Sequence, residues 1–229
     1  SMGTFGYLAP LEMGTNTFVF KQGDKSYTVT ITRKSAGGTS KISEITPSSM
    51  LPRIHAGVKA GESLAVSCTA PSSASVSATL GGQTVPLTQV ATANTGIPAT
   101  FRGEIPVSAA GYTANETEKI GPVTYTMTYN GSTKTYKSSG DVYVAGTGGS
   151  LAVRVTNIIG FVYPDVSKQH VFKEQLKKDA TDYVVSQDNK YAQLRSGGSI
   201  LLEQVDFIEG AVNIHNSVSA VNTSYGAKY

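Results

Sequence analysis

The sequence predicts an all-β protein. Twelve tyrosines occur without a tryptophan, 24 glycines punctuate the chain, and Leu-rich helical periodicity is nearly absent. Charged residues make up only 15 % of the chain, below the ~25 % of an ordinary soluble domain. Uncharged Ser, Thr and Asn must therefore supply most of the solvation.

Residues 1–41 are predicted to form an N-terminal β-hairpin segment followed by a linker. The stretch GTNTFVFKQGDKSYTVTIT, 14–32, contains two alternating runs, and Gly23 and Asp24 between them supply turn chemistry. Because a lone hairpin is marginal in water, we expect it to pack on a neighbouring part of the protein. The flexible stretch SAGGTSK, 35–41, is the predicted linker.

Residues 42–147 have the profile of an immunoglobulin-like β-sandwich. About seven short strands fall within roughly 100 residues, with turn signals every 8 to 12 residues. The Cys and Trp hallmarks of antibody domains are missing. The single cysteine, Cys68, lies in the alternation SLAVSCTAP, so we expect an inert buried thiol. The predicted strands are SLAVSCTA, SVSATL and QTVPLTQV about Gly81 and Gly82, ATFRGEIPV, PVTYTMTY and STKTYKSS about Asn130 and Gly131, and DVYVAG.

Residues 148–212 are predicted to form a small β-barrel, and 213–229 a C-terminal linker. LAVRVTNIIGFVYPDVS gives a strand, a break at Gly160 and a second strand. The charged stretch KQHVFKEQLKKDA is expected to hold a helical turn or a long loop. TDYVVSQ, KYAQLRS and GSILLEQVDF then give three compact strands.

The turn RSGGS lies between the last two of these strands. A phosphate cradle needs a helix after its glycines, whereas SILLEQVDF has the alternation of a strand. Gly197 and Gly198 are therefore predicted to close a hairpin. Arg195, just ahead of the turn, either faces a ligand or pairs with Glu203 across the hairpin.

Several function classes are disfavoured. The net charge of +3 comes from scattered lysines without a basic stripe, so we do not expect nucleic-acid binding. No run of about 18 apolar residues is present to span a membrane. The three histidines, His55, His170 and His215, fall in different modules, and no Ser or Cys has the surroundings of a catalytic nucleophile. We expect no catalytic site, metal or cofactor, and a monomer.

The order of these stretches resembles a known architecture. The hairpin, AGESLAVSCTAPSSASVSATLGGQTVPL with GPVTYTMTYNG, and then DYVVSQDNKYAQLRSGGSILLEQVDF are similar to the non-catalytic region of secreted N-acetylmuramoyl-L-alanine amidases from Clostridia-like bacteria. In that family, Ig-like and bacterial Src-homology-3-like modules accompany a zinc amidase domain. This chain has no α/β pattern to supply the zinc site. We therefore expect the native protein to continue beyond both ends, with any catalytic domain outside these residues.

The resemblance implies an extracellular or cell-wall-associated protein that binds peptidoglycan or another cell-wall glycan. Candidate ligand residues in the small barrel are Tyr163, Tyr183, Tyr191 and Arg195, because aromatic rings stack on sugars and an Arg fork binds carboxylates. Tyr125 and Tyr129 share parity on one strand and could form a second platform, although half-buried packing is the ordinary role of such residues. The alternative function is a structural stalk or adhesin that binds a protein partner.

Overall fold

The computed structural model describes residues 11, 14–33, 40–91, 93–164, 173–212 and 214. The chain divides into two compact units, residues 1–40 and 41–229. The prediction of an all-β protein with an N-terminal hairpin is confirmed: the described residues form three sheets and two short 3₁₀ turns. The immunoglobulin-like and Src-homology-3-like assignments stay predictions. The predicted linkers at 35–41 and 213–229 lie mostly outside the described residues.

The first unit contains the predicted hairpin. Strands β1 (Gly14–Gln22) and β2 (Lys25–Arg33) pair antiparallel along their whole length. Gly23 has a φ of +59°, which favours glycine at this turn. Direct pairing of Phe18 with Val29 and of Phe20 with Tyr27 gives the hairpin one apolar face.

The second unit begins with an eight-stranded sheet that we call sheet I. Residues Pro47–Ser49 form a 3₁₀ turn before it. In spatial order β3 and β4 lie at opposite edges of the sheet, although the chain joins them directly. The strands are β3 (Ala56–Lys59), β4 (Ser63–Pro71), β5 (Ser75–Leu80), β6 (Gln83–Gln89), β7 (Pro98–Pro106), β8 (Glu116–Tyr129) and β9 (Ser132–Ala145).

The alternation of inward and outward side chains along each strand explains the core of sheet I. In β4 the side chains of Leu64, Val66, Cys68 and Ala70 point inward and are buried, while the residues between them are more exposed. Burial raises the pKa of the Cys68 thiol to about 12. The thiol is therefore protonated at neutral pH, so the expected buried cysteine is confirmed and it is a poor nucleophile.

The two long strands differ from the prediction. β8 and β9 run 14 residues each and pair antiparallel about Asn130 and Gly131, with register shifts near Gly121 and Pro122. DVYVAG was predicted as a separate strand, but residues 141–145 continue β9. The end of β9 also pairs in parallel with β3, with Ala56 opposite Val142.

A seven-stranded sheet, sheet II, follows in the same unit. Its spatial order is β12, β11, β15, β14, β13, β10, β16, and a 3₁₀ turn at Leu202–Gln204 separates β15 from β16. The strands are β10 (Ala152–Val155), β11 (Ile159–Tyr163), β12 (Glu174–Lys177), β13 (Thr181–Gln187), β14 (Tyr191–Leu194), β15 (Ser199–Leu201) and β16 (Val205–Phe207).

Two predictions for this region are wrong. Residues 174–177 form β12 where a helical turn or loop was expected, because Leu176 is buried in the core beneath polar neighbours. Gly160 does not break the chain but lies inside β11, where a side chain would come within 2.9 Å of Ile200. The glycine is needed for close packing. The hairpin about Gly197 and Gly198 is present as predicted.

The two sheets share an interlocked junction. The backbone N–H of Gly57 donates to Gln187 Oε1 at 3.0 Å, and the rings of Tyr143 and Phe207 stack with centroids 5.3 Å apart. A final strand, β17 (Gly210–Ala211), returns from sheet II to pair with β8 of sheet I. The core of sheet II therefore includes residues of β9.

No helix among the described residues has the length and apolarity needed to cross a membrane.

Candidate functional site

Four strands of sheet II position a surface that we call the outer face. Its members are Tyr163, Tyr183, Ser186, Tyr191, Gln193, Arg195 and Ser199. On β11, β15 and β14, the inward residues Val162, Ile200 and Ala192 are fully buried. Because strand side chains alternate, the next residue on each strand projects to the opposite face. The register places Tyr163 opposite Ser199, and Ser199 opposite Gln193.

The register of β13 completes this surface. After a shift between Val184 and Ser186, Ser186 lies opposite Gln193, and its hydroxyl donates to Gln193 Oε1 at 2.7 Å. Before the shift, the backbone N–H of Arg195 donates to the Tyr183 carbonyl. All four barrel residues predicted to line a ligand groove therefore lie on one face of sheet II. They form two separate pairs rather than one continuous row.

The first pair is Tyr163 and Tyr191. Their ring centroids are 6.3 Å apart and nearly perpendicular. Tyr191 is 6 % exposed, and its hydroxyl has no hydrogen-bond partner among the described residues. This hydroxyl is enclosed by the protein, so Tyr163, which is half-buried, is the more accessible ring of the pair. Asp188 Oδ1 accepts the backbone N–H groups of Lys190 and Tyr191 at 2.7 Å and so fixes the turn that carries the ring.

A small, open pocket lies beside this pair. It has a volume of about 250 Å³, and its lining combines hydroxyl, amide and one carboxylate group with the Tyr191 ring. Such a lining can both hydrogen-bond a hydroxyl-bearing ligand and contact it with an aromatic surface. Its lining residues are Ser186, Gln187, Asp188, Tyr191, Gln193 and Ser199.

The second pair is Tyr183 and Arg195. The guanidinium carbon lies 4.1 Å from the centre of the Tyr183 ring, the geometry of a cation–π stack. The Tyr183 hydroxyl accepts from Ile214 N at 3.1 Å and lies 3.3 Å from the Val212 carbonyl oxygen. The Tyr183 ring is therefore contacted on its face by Arg195 and at its hydroxyl by the backbone of residues 212 and 214. Of the two roles left open for Arg195, pairing with Glu203 is not found: no ion pair joins them in the described structure.

The glycine turn beside Arg195 is fixed by a buried acid. Asp182 accepts from the backbone N–H of Tyr183 through Oδ1 at 2.7 Å and from that of Ser196 through Oδ2 at 3.2 Å. Gly197 and Gly198 both have φ near +90° (95° and 86°). Lys173 Nζ donates to the Ser196 and Gly197 carbonyls. These hydrogen bonds of Asp182 and Lys173 fix the turn. The fixed turn places the Arg195 guanidinium on the Tyr183 ring.

One of the two tyrosines of the second predicted platform, Tyr125, is not exposed to a ligand. Tyr125 is 0 % exposed, and its hydroxyl lies 2.5 Å from the Leu51 carbonyl oxygen and 3.1 Å from that of Ser67. Tyr129 is half-buried and packs against the same core. The parity argument was correct, but the shared face of β8 is the core face, as the buried neighbours Val123 and Met127 show.

Tyr125→Phe is expected to destabilise the protein by about 1–3 kcal/mol, because the buried phenol loses its hydrogen bond to the Leu51 carbonyl oxygen, which then has no hydroxyl partner. Tyr136→Phe is the matched control, since the Tyr136 hydroxyl is buried without a partner among the described residues. Urea unfolding compares the two variants. Equal stability losses would contradict the role given to the Tyr125 hydroxyl.

The histidines do not assemble a metal site in the described structure. His55 Nδ1 accepts the backbone N–H of Asp141 at 3.1 Å, and its Nε2 lies 3.6 Å from Asp206 Oδ1. Lys119 Nζ also reaches Asp141 at 2.7 Å, and this hydrogen bond raises the pKa of Lys119. His170 and His215 lie outside the described residues. Within the described ranges, no group of three His, Cys, Asp or Glu side chains has the arrangement of a metal site.

Two further cavities flank the junction between the sheets. One of about 460 Å³ lies between β3 and β4 on one side and residues 184–189 on the other. A second, of about 470 Å³, continues from it along β4 and β7 towards Arg102 and Glu104. Sequence reasoning missed both, because they are formed by residues more than 100 positions apart.

Comparison of the chain with protein-family models, with curated proteins and with solved structures finds no match.

Proposed function

We propose that this chain is a non-catalytic binding and spacing region of an exported bacterial peptidoglycan hydrolase of the N-acetylmuramoyl-L-alanine amidase type. The outer face of sheet II supplies its contact with the cell wall. The observation that carries the proposal is the grouping of Tyr163, Tyr191, Tyr183 and Arg195 on that face beside a small open pocket. The resemblance of the sequence to the non-catalytic region of such enzymes supplies the biological context.

The chemistry of the outer face fits peptidoglycan in two respects. The half-buried ring of Tyr163 and the neighbouring pocket offer an aromatic edge and hydrogen-bonding groups to a sugar. Arg195 stacks on Tyr183, and a guanidinium stacked through its flat surface keeps the N–H groups at its edge for a carboxylate. Peptidoglycan combines sugars with carboxylate-bearing stem peptides. One polymer therefore offers a sugar to the Tyr163–Tyr191 pair and a carboxylate to Arg195.

Binding through so small a surface is expected to be weak. A polymer such as peptidoglycan repeats its binding units, and tethering to it raises the effective concentration of the next unit. The region then holds an attached catalytic domain close to its substrate without performing chemistry itself. The zinc amidase domain belongs to the proposal and not to the residues of this chain.

Co-sedimentation with purified, insoluble peptidoglycan tests the proposal. The wild-type chain is expected to sediment with the polymer, and Tyr163→Ala and Arg195→Ala to reduce the bound fraction several-fold. Tyr27→Ala is the control, because this tyrosine is 57 % exposed but lies on the N-terminal hairpin. If the wild-type chain does not sediment with peptidoglycan, or if all variants sediment equally, the binding proposal is contradicted.

Arg195→Lys refines the same experiment. It keeps the positive charge but loses the planar fork and the stacking surface. We expect its bound fraction to fall close to that of Arg195→Ala. Full retention would mean that a point charge suffices and that the stack on Tyr183 has no role in binding.

A stalk that binds a protein partner is the second candidate. The interlocked junction favours it, because the Gly57 to Gln187 hydrogen bond and the Tyr143 to Phe207 stack join the sheets as a spacer requires. On this account the chain does not sediment with peptidoglycan. The co-sedimentation experiment therefore separates the two candidates.

A further inference from the structure

The outer edge of β4 is incompletely paired. The ladder to β7 and the hydrogen bond from the Val107 N–H to the Glu62 carbonyl place the backbone groups of the even-numbered residues of β4 toward β7. The odd-numbered residues therefore direct their backbone N–H and C=O groups away from the sheet. At Ser67 and Thr69 these groups are used: Leu51 N donates to the Ser67 carbonyl and Thr46 N to that of Thr69.

Ser63 and Ala65 differ from their neighbours. Within the part of the chain that the structure describes, no hydrogen bond reaches their outward N–H or C=O groups. Both residues line the cavity of about 460 Å³ between the two sheets. Ser63 and Ala65 lie two residues apart, so their unpaired backbone groups form a short free β-edge. The backbone of an extended chain has the same two-residue spacing and can pair with this edge.

The opposing edge of β3 is protected in contrast. Its outward N–H groups, those of Gly57 and Lys59, donate to the side chains of Gln187 and Glu62 at 3.0 and 3.2 Å. The Lys59 carbonyl accepts from Glu62 N. Sheet II thus caps one side of the cleft and leaves the β4 side open. An incoming strand can therefore pair with β4 only.

The far wall of the cleft offers an apolar contact. The register shift in β13 places Val185 outside the ladder, and it is 59 % exposed while lining the same cavity. Its neighbours along the wall are Ser186, Asp188 and Asn189. The volume lies within the range of about 300–1,000 Å³ typical of ligand pockets.

The charges beside β4 indicate which strand fits. Ala65 lies directly opposite Glu104, and Ser67 opposite Arg102, so both charged side chains lie on the same face as these small residues. Neither charge has an ion-pair partner in the described structure. A strand added to β4 would lie about 10 Å from β7, and a long side chain can cross Ala65 to reach Glu104.

We propose that the cleft binds an extended peptide segment of a partner protein, added as a strand to the β4 edge at Ser63 and Ala65. The segment carries a basic residue beside Ala65, for Glu104, and an acidic residue just past the end of the ladder, where its side chain can reach Arg102. Leu51 already occupies the edge at Ser67, so the added strand ends there. This site lies on sheet I and does not depend on peptidoglycan binding by sheet II.

An acetylated and amidated hexapeptide of sequence Thr-Val-Lys-Val-Glu-Thr is the probe, added to the full chain at up to millimolar concentration. Amide hydrogen exchange and NMR shifts report on each backbone N–H. The Ser63 and Ala65 amides are expected to become protected and shifted. The same peptide with N-methylated backbone amides keeps its side chains but cannot form the ladder, and it should have no effect.

Two variants make the test specific. Ala65→Pro removes an outward N–H that β7 does not use, a position where an edge strand tolerates proline, and should weaken the probe about tenfold or more. Glu104→Gln leaves the backbone intact and should weaken it about two- to fivefold, as expected for an exposed ion pair. The second variant decides the question if the first fails to fold.

Three outcomes would overturn the proposal. The first is the absence of protection at Ser63 and Ala65 with the probe at millimolar concentration. The second is equal binding of the N-methylated peptide. The third is protection of the two amides that rises with protein concentration without any peptide, together with dimers in sedimentation velocity, since the occupant would then be a second copy of this chain.

Discussion

Gly140→Ala is expected to destabilise the protein by about 3 kcal/mol or more, or to prevent folding. An added Cβ would lie 2.3 Å from the Ile54 carbonyl oxygen and 2.4 Å from the carbon that bears it. Both atoms belong to the backbone, which cannot rotate away as a side chain can. The Gly140 N–H also donates to the Pro52 carbonyl at 3.0 Å, so moving the strand would break this bond.

Ser139→Ala is the matched control for Gly140→Ala. It changes the adjacent residue of β9, which is exposed and loses one hydrogen bond, from its hydroxyl to the Arg53 carbonyl. That loss is expected to cost about 0.5–1.5 kcal/mol. The free energies of unfolding in urea compare the variants. A Gly140→Ala protein as stable as Ser139→Ala would mean that the Ile54 carbonyl does not lie against Gly140.

Gly57→Ala is expected to destabilise the junction between the sheets by about 1–3 kcal/mol, through overpacking. An added Cβ would lie 2.6 Å from Phe207 Cε1 and 2.8 Å from Leu151 Cδ2. The Phe207 ring is held by its stack on Tyr143 and cannot turn freely. Because the Gly57 N–H also donates to Gln187, displacing sheet II would expose the edge of β3.

A double-mutant cycle with Leu151→Ala tests this cause directly. Leu151→Ala alone creates a cavity and is expected to destabilise the protein. In the Gly57→Ala background the same truncation makes room for the new methyl group, so it should cost less. Additive free energies of unfolding in the four proteins would contradict a steric clash at this contact.

The fold class and several strands could be predicted because their signals are local. The inward and outward alternation of β4 and the two-glycine turn after Leu80 are each contained within a few neighbouring residues. The hairpin at Asn130 and Gly131 has the same local origin. Such patterns determine where strands begin and turn, and they need no knowledge of distant partners.

Other features depend on partners far away in the sequence. β12 carries one buried apolar residue, Leu176, so its strand character comes from pairing with β11 and not from alternation. The parallel pairing of β3 with β9 and the hydrogen bond from Gly57 to Gln187 join residues about 90 and 130 positions apart. Gly160 could not be recognised as a packing residue because Ile200 supplies the contact.

The site residues show the same division. Tyr163, Tyr191 and Arg195 were grouped from the expected small barrel and their side-chain chemistry, and the strand register places them on one face of sheet II. Parity grouped Tyr125 with Tyr129, but it cannot say which of two faces is covered. Only the packing of sheet I on itself makes that face the core. The unpaired edge at Ser63 and Ala65 could not be predicted either, because the pattern of side chains does not show which backbone groups are paired.

The most direct test of the proposed cell-wall contact is NMR titration of the full chain with soluble disaccharide-peptide fragments of peptidoglycan. The account predicts shifts that saturate with fragment concentration and concentrate on the outer face of sheet II, at Tyr163, Gln193 and Arg195. The β4 edge at Ser63 and Ala65 should stay unchanged. No shift on the outer face at millimolar fragment, or shifts confined to the β4 edge, would contradict it.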